Sequence, residues 1–170
     1  DGLASVMSIV QDNDKTYWFS TYGDGITKYK DNVFTNYHSL NSNLTNNTIW
    51  SSMLDSKDQL WFGSSGGLIK QNQGKFTVFH NIGWLPSNKI TSLFEDSKNH
   101  IWIGTAKGVT EIFNSDTTTY TNSSGLETKN IRAITEYENT VWLGTSNGVF
   151  TSNEKGFSPW ENNETLEGNI

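Results

Sequence analysis

Apolar and polar positions alternate in short runs along the whole chain, and these runs return at a nearly constant interval. Stretches of β-prone residues are separated by turns rich in Gly, Asn and Asp, which is typical of strands joined by tight hairpins. No segment shows a sustained apolar period of about 3.6 residues, so the pattern predicts no helix. The recurrence is clearest at four tryptophans that lie 43, 41 and 40 residues apart: Trp18, Trp61, Trp102 and Trp142.

Each of these tryptophans belongs to the second strand of a four-strand unit. The first strand opens with an aliphatic residue twelve positions earlier, or eleven in the fourth copy, and its third position is always small. A glycine hairpin follows the tryptophan strand, and a pair of mostly aromatic residues three apart marks the fourth strand. Four-strand repeats of about 40 residues are typical of β-propeller blades. The first strands open at Val6, Ile49, Ile90 and Ile131.

The repeats predict an all-β protein, a β-propeller of four-stranded antiparallel blades with four blades in this chain. They divide a single propeller domain or propeller segment into blades at approximately 6–47, 48–88, 89–129 and 130–170. A linear β-solenoid is disfavoured because two-residue hairpins require antiparallel strands. Three arrangements remain open: a closed four-bladed ring, part of a larger ring, or half of a dimeric eight-bladed ring. An open segment would expose two apolar blade faces, which favours a homodimer or additional blades.

The third copy carries a resemblance to a known family. Its segments 90–96, 101–105 and 107–109 resemble the two-component regulator propeller repeat, and the resemblance extends over all four copies. It is loosest in the first copy, where Ser20 replaces a glycine and Tyr22-Gly23 lengthens the turn. The resemblance implies a ligand-sensing propeller from the periplasmic or extracellular region of a bacterial signal-transduction receptor, such as a hybrid histidine kinase. Because the chain opens at Asp1, inside an inter-repeat loop, we expect a piece of a longer protein.

Composition and charge argue against several classes of binding partner and functional site. The net charge of -6, the pI near 4.9 and a single arginine, Arg132, disfavour binding to nucleic acid or to an anionic membrane. No apolar run approaches the ~20 residues that span a bilayer, so no direct membrane insertion is expected. The absence of cysteine excludes disulfides, thiolate metal sites and a cysteine nucleophile. With no zinc spacing, phosphate-binding loop or nucleophile elbow, we expect no cofactor, no metal and no catalytic residues.

Residues that repeat in register are expected to serve packing and turns. The tryptophan column is therefore predicted to be core. An aspartate six residues before the tryptophan, at Asp12, Asp55 and Asp96, is expected to organise the following turn through its carboxylate. The fourth copy lacks one residue there, so its turn should be built differently. His100 lies in one of these turns and is expected to be solvated.

Columns that vary between copies are the expected place of function. The second position of the inner strand is such a column, and it reads Met7, Trp50, Thr91 and Arg132. The loops entering that strand, at residues 40–47, 81–88 and 121–130, also differ. Outside every repeated column lies Trp84, and His38 and His80 follow the fourth strands of consecutive copies. Aromatic platforms beside an arginine that can clamp a carboxylate or sulfate predict a ligand site at the channel rim. The candidate residues are Trp50, Trp84, Arg132, His38, His80, Met7 and Thr91.

These features favour a non-enzymatic sensory propeller that binds a small molecule or glycan at the channel rim. One alternative is a propeller lyase or glycosidase-type enzyme, which would need unrepeated His, Asp or Glu residues at one rim, and only His38 and His80 come near. The other alternative is a scaffolding or dimerisation module without a small ligand.

Overall fold

The computed structural model describes residues 4–126 and 130–166 as four separate four-stranded antiparallel sheets, one for each repeat. Within each sheet the strands follow one another in chain order. Blades 1 and 2 contain β1 (Val6–Gln11), β2 (Tyr17–Thr21), β3 (Ile26–Lys30), β4 (Val33–Tyr37), β5 (Ile49–Leu54), β6 (Leu60–Ser64), β7 (Gly67–Asn72) and β8 (Lys75–Phe79). Blades 3 and 4 contain β9 (Ile90–Glu95), β10 (Ile101–Thr105), β11 (Gly108–Phe113), β12 (Asp116–Tyr120), β13 (Ile131–Tyr137), β14 (Thr140–Thr145), β15 (Gly148–Asn153) and β16 (Gly156–Pro159). The predicted all-β fold with four blades is confirmed.

Two short 3-10 turns, Asn122–Ser124 and Asn163–Leu166, follow the last strands of blades 3 and 4. In the described part of the chain, no helix is long and apolar enough to cross a membrane. Residues 1–3, 127–129 and 167–170 lie outside the described residues. The expectation about the chain's first residue, and part of the variable loop 121–130, therefore lie outside them too.

Each blade has two apolar faces, because side chains alternate along a strand. In blade 1, Trp18 and Tyr37 lie on the face toward blade 2. The Phe76 ring of blade 2 covers them, with its centroid 6.5 Å from Trp18 and 5.0 Å from Tyr37. Residues three apart on a strand point to opposite faces, so Phe79 turns instead toward blade 3. The paired aromatics of the fourth strand thus serve two neighbouring blades.

The blades pack most closely along their inner strands β1, β5, β9 and β13, each of which contacts the next. A Cβ atom on Gly63 would lie 2.8 Å from Cγ2 of Ile90, the first residue of the next blade's inner strand. Gly104 stands in the same relation to Ile131, also at 2.8 Å. At Gly63 and Gly104 the neighbouring blade therefore occupies the space of a side chain, whereas blade 1 carries the fully buried Ser20 at this position.

The two end blades each leave one face uncovered. Val6 is 51% exposed, whereas its counterparts Ile49, Ile90 and Ile131 are fully buried. Among the described residues, β1 and β13 make no contact comparable to those between successive inner strands. Of the three arrangements that the sequence allowed, the closed four-bladed ring is therefore wrong. The described residues form an open arc of blades.

The aspartate column organises its turns as expected and also binds the tryptophan. In blade 2, Oδ2 of Asp55 accepts a hydrogen bond from Trp61 Nε1 at 2.8 Å, while Oδ1 accepts from the backbone N–H of Gln59 at 2.8 Å. Asp12 and Asp96 bind Trp18 and Trp102 in the same way, at 2.9 and 2.8 Å. One carboxylate thus fixes both the turn and the orientation of the core indole.

Blade 4 replaces this arrangement, which confirms that its turn is built differently. Glu138 and Asn139 adopt φ values of 50° and 60°, the left-handed conformation of a two-residue type I′ hairpin. The buried Trp142 Nε1 has no hydrogen-bond partner among the described residues. Glu136 instead reaches back to blade 3, where its carboxylate accepts from the Ser97 N–H and Oγ at 2.8 and 2.7 Å. The Glu95 carboxylate likewise accepts hydrogen bonds from the N–H and Oγ of Ser56 in blade 2, at 2.7 and 2.6 Å.

Candidate functional site

The variable column of the inner strand coincides with a β-bulge in every blade. The pairing of inner and second strands shifts register around this position, between Val6 and Ser8 in blade 1 and between Ile49 and Ser51 in blade 2. The same shift recurs in blades 3 and 4. A bulge leaves its extra residue outside the ladder and redirects its side chain, which is common near functional sites. The bulged residues are Met7, Trp50, Thr91 and Arg132.

The four bulged residues do not share one role. Thr91 donates its hydroxyl hydrogen to the carbonyl of Ile131 in the next blade, and its Oγ also lies 3.1 Å from the carbonyl oxygen of Gly104. It therefore ties blade 3 to blade 4. Met7 is 42% exposed. Arg132 is also exposed, and its guanidinium has no hydrogen-bond or ion-pair partner among the described residues.

Trp50 is the centre of a surface built from three successive blades. Tyr22 of blade 1 meets it edge to face, with ring centroids 5.6 Å apart and an interplanar angle of 69°. The Trp50 indole N–H donates to Ser65 Oγ at 2.9 Å. From the start of blade 3, Lys89 Nζ lies over the Trp50 ring, 5.0 Å from its centroid. We call Tyr22, Trp50, Ser65 and Lys89 the Trp50 patch.

The patch combines an exposed apolar surface with a positive charge. Tyr22 is 58% exposed, and Trp50 is half-buried with its polar nitrogen already satisfied. Lys89 contributes a cation–π contact to the ring and keeps its ammonium at the surface. Such a surface can stack against a ring of a ligand and attract an anionic substituent.

The sequence singled out Trp50 but not its neighbours Tyr22 and Lys89. Tyr22 lies in the lengthened turn of the first copy, which departs from the repeat. Lys89 occupies the position before the inner strand, where the other copies have Ser5, Thr48 and Asn130. Both are unmatched positions, so the signal that singled out Trp50 applies to them as well. The sequence does not show that Tyr22 and Lys89 both contact Trp50.

His38 and His80 lie on equivalent loops, as expected, but only His38 adjoins the Trp50 patch. His38 lines an open pocket of about 480 Å³ together with Gly23, Asp24 and Asn47. Gly23 follows Tyr22 directly, and its N–H donates to the Asn47 carbonyl at 3.2 Å. This pocket therefore borders the Trp50 patch.

His80 occupies the corresponding place one blade further on. It is exposed, and its Nδ1 lies 3.2 Å from Nδ2 of Asn81. Within the described chain, no hydrogen bond, ion pair or ring contact links His80 to Trp50, Arg132 or His38.

Trp84 has a packing role that separates it from the Trp50 patch. Its ring lies 6.1 Å from Phe79 and joins the apolar cluster between blades 2 and 3. Its carbonyl accepts hydrogen bonds from the hydroxyls of Thr110 and Thr119 at 2.7 and 2.8 Å. No ring contact or hydrogen bond joins Trp84 to Trp50 in the described residues. The structure thus does not bring together the two unrepeated tryptophans of the predicted site.

The expectation that His100 is solvated is wrong. Its Nδ1 lies 2.8 Å from Glu111 Oε1 and 3.2 Å from Asp96 Oδ2, and its ring packs 4.4 Å from Phe113. The Tyr120 hydroxyl donates to the other Glu111 oxygen at 2.9 Å. Burial, followed by the hydrogen bond and charge of Glu111, raises the pKa of Tyr120 to about 12.

This group of side chains ties the β9–β10 turn to the outer strands of blade 3. Its carboxylates are engaged by donors, and no serine or threonine hydroxyl is hydrogen-bonded to the imidazole among the described residues. In the same part of the chain, no set of three or more His, Asp and Glu side chains is arranged to hold a metal ion. We therefore interpret the His100 group as structural.

Comparison with known proteins agrees with this architecture. The model of the two-component regulator propeller family matches residues 43–66 and 85–107, in the second and third copies. A histidine kinase of Formosa agariphila, histidine kinase P4, is 34% identical over 71 residues, covering 38% of this chain and 5% of that protein.

Two solved structures show the same fold. The extracellular domain of a putative hybrid two-component system from B. thetaiotaomicron superposes with a TM-score of 0.77 at 24% identity, over 96% of this chain and 22% of that one. Virginiamycin B lyase from Staphylococcus aureus superposes with a TM-score of 0.71 at 16% identity, over 92% of this chain and 56% of the lyase. The chain thus spans about a fifth of the first protein and about half of the second. The second and third copies thus match the two-component regulator propeller repeat, and all four copies form blades of the same fold.

Proposed function

We propose that this chain is part of a sensory β-propeller outside the bacterial cytoplasm, and that it binds a small molecule or glycan through the Trp50 patch without catalysing a reaction. The observation that carries the proposal is the meeting of Tyr22, Trp50 and Lys89, which come from three successive blades and belong to no repeated column. Most packing residues of this chain recur from blade to blade, whereas these three do not. An unrepeated surface cluster of this kind is typical of a binding site on a repeat scaffold.

The chemistry of the patch indicates the ligand class. A flat, partly exposed aromatic surface binds the apolar face of a sugar ring or another planar group. Lys89 lies beside this surface, and Arg132, which has no partner in the described part of the chain, is an additional cation on the equivalent bulge of blade 4. A ligand that carries a carboxylate or sulfate would gain charge-assisted hydrogen bonds from these groups.

A site that spans three blades also offers a physical route to signalling. A ligand that contacts blades 1, 2 and 3 together favours the blade packing in which its contacts are strongest. It can shift an equilibrium only by the difference between its affinities for the two states. The location outside the cytoplasm is supported by the fold shared with extracellular domains of two-component systems and by the match to a histidine kinase.

The proposal is tested by thermal shift on a panel of neutral, carboxylated and sulfated oligosaccharides together with small ring-containing anions. We expect at least one ligand to raise the melting temperature and Trp50→Ala to abolish that shift. Lys89→Gln should weaken binding of anionic ligands more than binding of neutral ones, because it removes the positive charge together with the cation–π contact to Trp50. Arg132→Ala then shows whether the second cation takes part.

Matched controls separate binding from stability. Tyr137→Ala removes an equally exposed tyrosine at the far end of an inner strand and should leave the ligand shift intact, whereas Tyr22→Ala should reduce it. Lys107→Gln is the corresponding control for Lys89. If no ligand of the panel shifts the melting temperature, the sensory proposal fails and the scaffolding alternative is favoured.

An enzymatic role is the second candidate, and the shared fold with virginiamycin B lyase together with the His38 pocket favours examining it. Any ligand found by thermal shift should be incubated with the protein and followed by mass spectrometry. Turnover that is lost in His38→Ala, with binding retained, would replace the sensory proposal by an enzymatic one. An unchanged ligand supports binding alone.

A further inference from the structure

A polar cleft opens between blades 1 and 2, at the end of the blades opposite the Trp50 patch. Trp50 is the second residue of β5, whereas Leu54, which lines the cleft, is its last residue, about 13 Å further along the strand. The cleft has a volume of about 430 Å³, within the range of small-molecule sites. None of the described residues that line it belongs to the Trp50 patch. The two surfaces are therefore separate.

The junction of blades 1 and 2 lacks the glutamate contact that joins the later blades. Between blades 2 and 3 the Glu95 carboxylate accepts from Ser56, and the same contact recurs between blades 3 and 4. The equivalent residues between blades 1 and 2 are Leu54 and Asn13, which cannot repeat it because leucine has no acceptor. The Asn13 amide donates instead to the exposed carboxylate of Asp58. The later junctions are thus closed by a contact that this one does not have.

One wall of the cleft is polar where the next blade is apolar. Gln71 on β7 occupies the position that Ile112 has in blade 3, where the isoleucine packs into the apolar cluster between blades 2 and 3. Gln71 is half-buried, and its amide has no hydrogen-bond partner in the described part of the chain. Its donors and its acceptor are therefore available to a ligand.

Side chains of both charges line the cleft. Lys28 and Lys30 lie on the face of β3 that carries Trp18 in the neighbouring strand and is directed toward blade 2. Lys28 Nζ lies 5.7 Å from the Trp18 ring centroid and forms no ion pair within the described chain. Asp14 and Asp58 are exposed and also line the cleft. Asp14 Oδ2 lies 4.0 Å from Lys30 Nζ, so the two groups make only a distant ion pair.

We propose that this cleft is a second ligand site, and that it binds a small zwitterion, either a free amino acid or a short peptide with free termini. Lys28 and Lys30 bind the carboxylate, Asp14 and Asp58 bind the ammonium group, and the Gln71 amide pairs with a peptide group. A purely anionic ligand would meet the two carboxylates, and a purely cationic one would meet the two lysines. A ligand that carries both charges therefore fits best.

The same lining disfavours a sugar. Trp18 is the aromatic residue among the described residues of the cleft, and it is only 3% exposed. The cleft therefore does not present the flat aromatic surface that the Trp50 patch offers to a sugar ring. This difference separates the ligand classes of the two sites.

Isothermal titration calorimetry tests the proposal at low ionic strength. The whole chain is titrated with free amino acids and with dipeptides that carry apolar, acidic and basic side chains. We expect at least one of these zwitterions to bind. Its N-acetylated and C-terminally amidated forms should each bind at least about tenfold more weakly, because each lacks one charge-assisted contact. Added salt should weaken binding, since it screens both contacts.

Variants locate the binding site. Lys28→Gln should weaken binding of the zwitterion at least about tenfold. Lys70→Gln is the matched control, because Lys70 is the equivalent lysine of blade 2, lies outside the cleft and has its Nζ 4.9 Å from the Trp61 ring centroid. It removes the same kind of cation–π contact and should leave binding unchanged.

Gln71→Ile guards against a variant that loses binding because it fails to fold. It introduces the residue that blade 3 has at this position, so the melting temperature should be retained. Binding should nevertheless fall at least about tenfold, because the amide that contacts the ligand is removed.

Three outcomes would overturn the proposal. The first is that no amino acid or dipeptide binds at concentrations up to about 10 mM. The second is that the capped dipeptides bind as tightly as the free one. The third is that Lys28→Gln and Lys70→Gln have equal effects, or that Trp50→Ala abolishes binding and so assigns it to the Trp50 patch. Ligand binding at that patch is measured with its own ligands and variants, so the two proposals can fail independently.

Discussion

Single carboxylates hold the blades' turns and core indoles together. Asp55 is 6% exposed and accepts from Trp61 Nε1 and from the backbone N–H groups of Lys57 and Gln59, at 2.8, 2.9 and 2.8 Å. A charged acceptor with several donors contributes more to stability than a neutral one, and removing it leaves buried donors unpaired.

We therefore expect Asp55→Ala to lower the free energy of unfolding by about 3 kcal/mol. Urea titration followed by tryptophan fluorescence measures the change. Asp116→Ala is the control, because Asp116 is exposed on β12, and it should change stability by less than about 0.5 kcal/mol. Equal effects of the two substitutions would contradict the role assigned to Asp55.

The sequence predicted that the aspartate column builds turns, because a carboxylate in a tight polar turn has few other roles. It did not predict the bond to the indole. That bond requires the second strand to fold back so that a side chain six residues later returns to the same carboxylate. Likewise, His100 gave no sign of its contact with Glu111, since the two residues meet only when β10 and β11 pair.

At the scale of the strands, the neighbouring blade determines whether a glycine position has room for a side chain. Gly104 and Gly144 are equivalent residues with ordinary backbone conformations. A side chain on Gly104 would collide with Ser92 and Ile131, whereas one on Gly144 meets only Ala133 at an ordinary contact distance.

Gly104→Ala should therefore destabilise the chain by about 1–3 kcal/mol through overpacking. Gly144→Ala should leave stability unchanged or raise it slightly, since it restricts the unfolded chain without a clash. Thermal unfolding of both variants in dilute protein measures the difference. Comparable losses for both would mean that blade 4 is covered on its trailing face even in the single chain.

The bulges belong to the same scale. Alignment of the copies located the variable column, because sequence variation is visible without structure. The register shift that redirects these residues is not encoded at that position, as Met, Trp, Thr and Arg all occupy it. It follows from how each inner strand meets its partner.

At the scale of the whole molecule, the chain is an arc in which blades 2 and 3 have two covered faces and blades 1 and 4 have one. In repeat proteins, stability is the sum of each unit and its contacts with neighbours. The end blades should open locally at lower free energy than the middle ones.

Hydrogen exchange measures this difference. In dilute protein, amides of β6 and β10 should exchange at least about tenfold more slowly than those of β2 and β14. Uniform protection of all four blades would show that the arc unfolds as one unit and would contradict this expectation.

The repeat, the four-stranded blade, the hairpins and the unmatched positions could all be predicted from the sequence. These features depend on the local alternation of apolar and polar residues and on the residues of the turns, and both recur in each copy. Tertiary structure decided which unmatched residues meet: Trp50 with Tyr22 and Lys89, and Trp84 with the core instead. It also decided that the arc is open. Contacts between blades join residues about 40 positions apart, and their partners are set by how whole sheets stack, which no single repeat specifies.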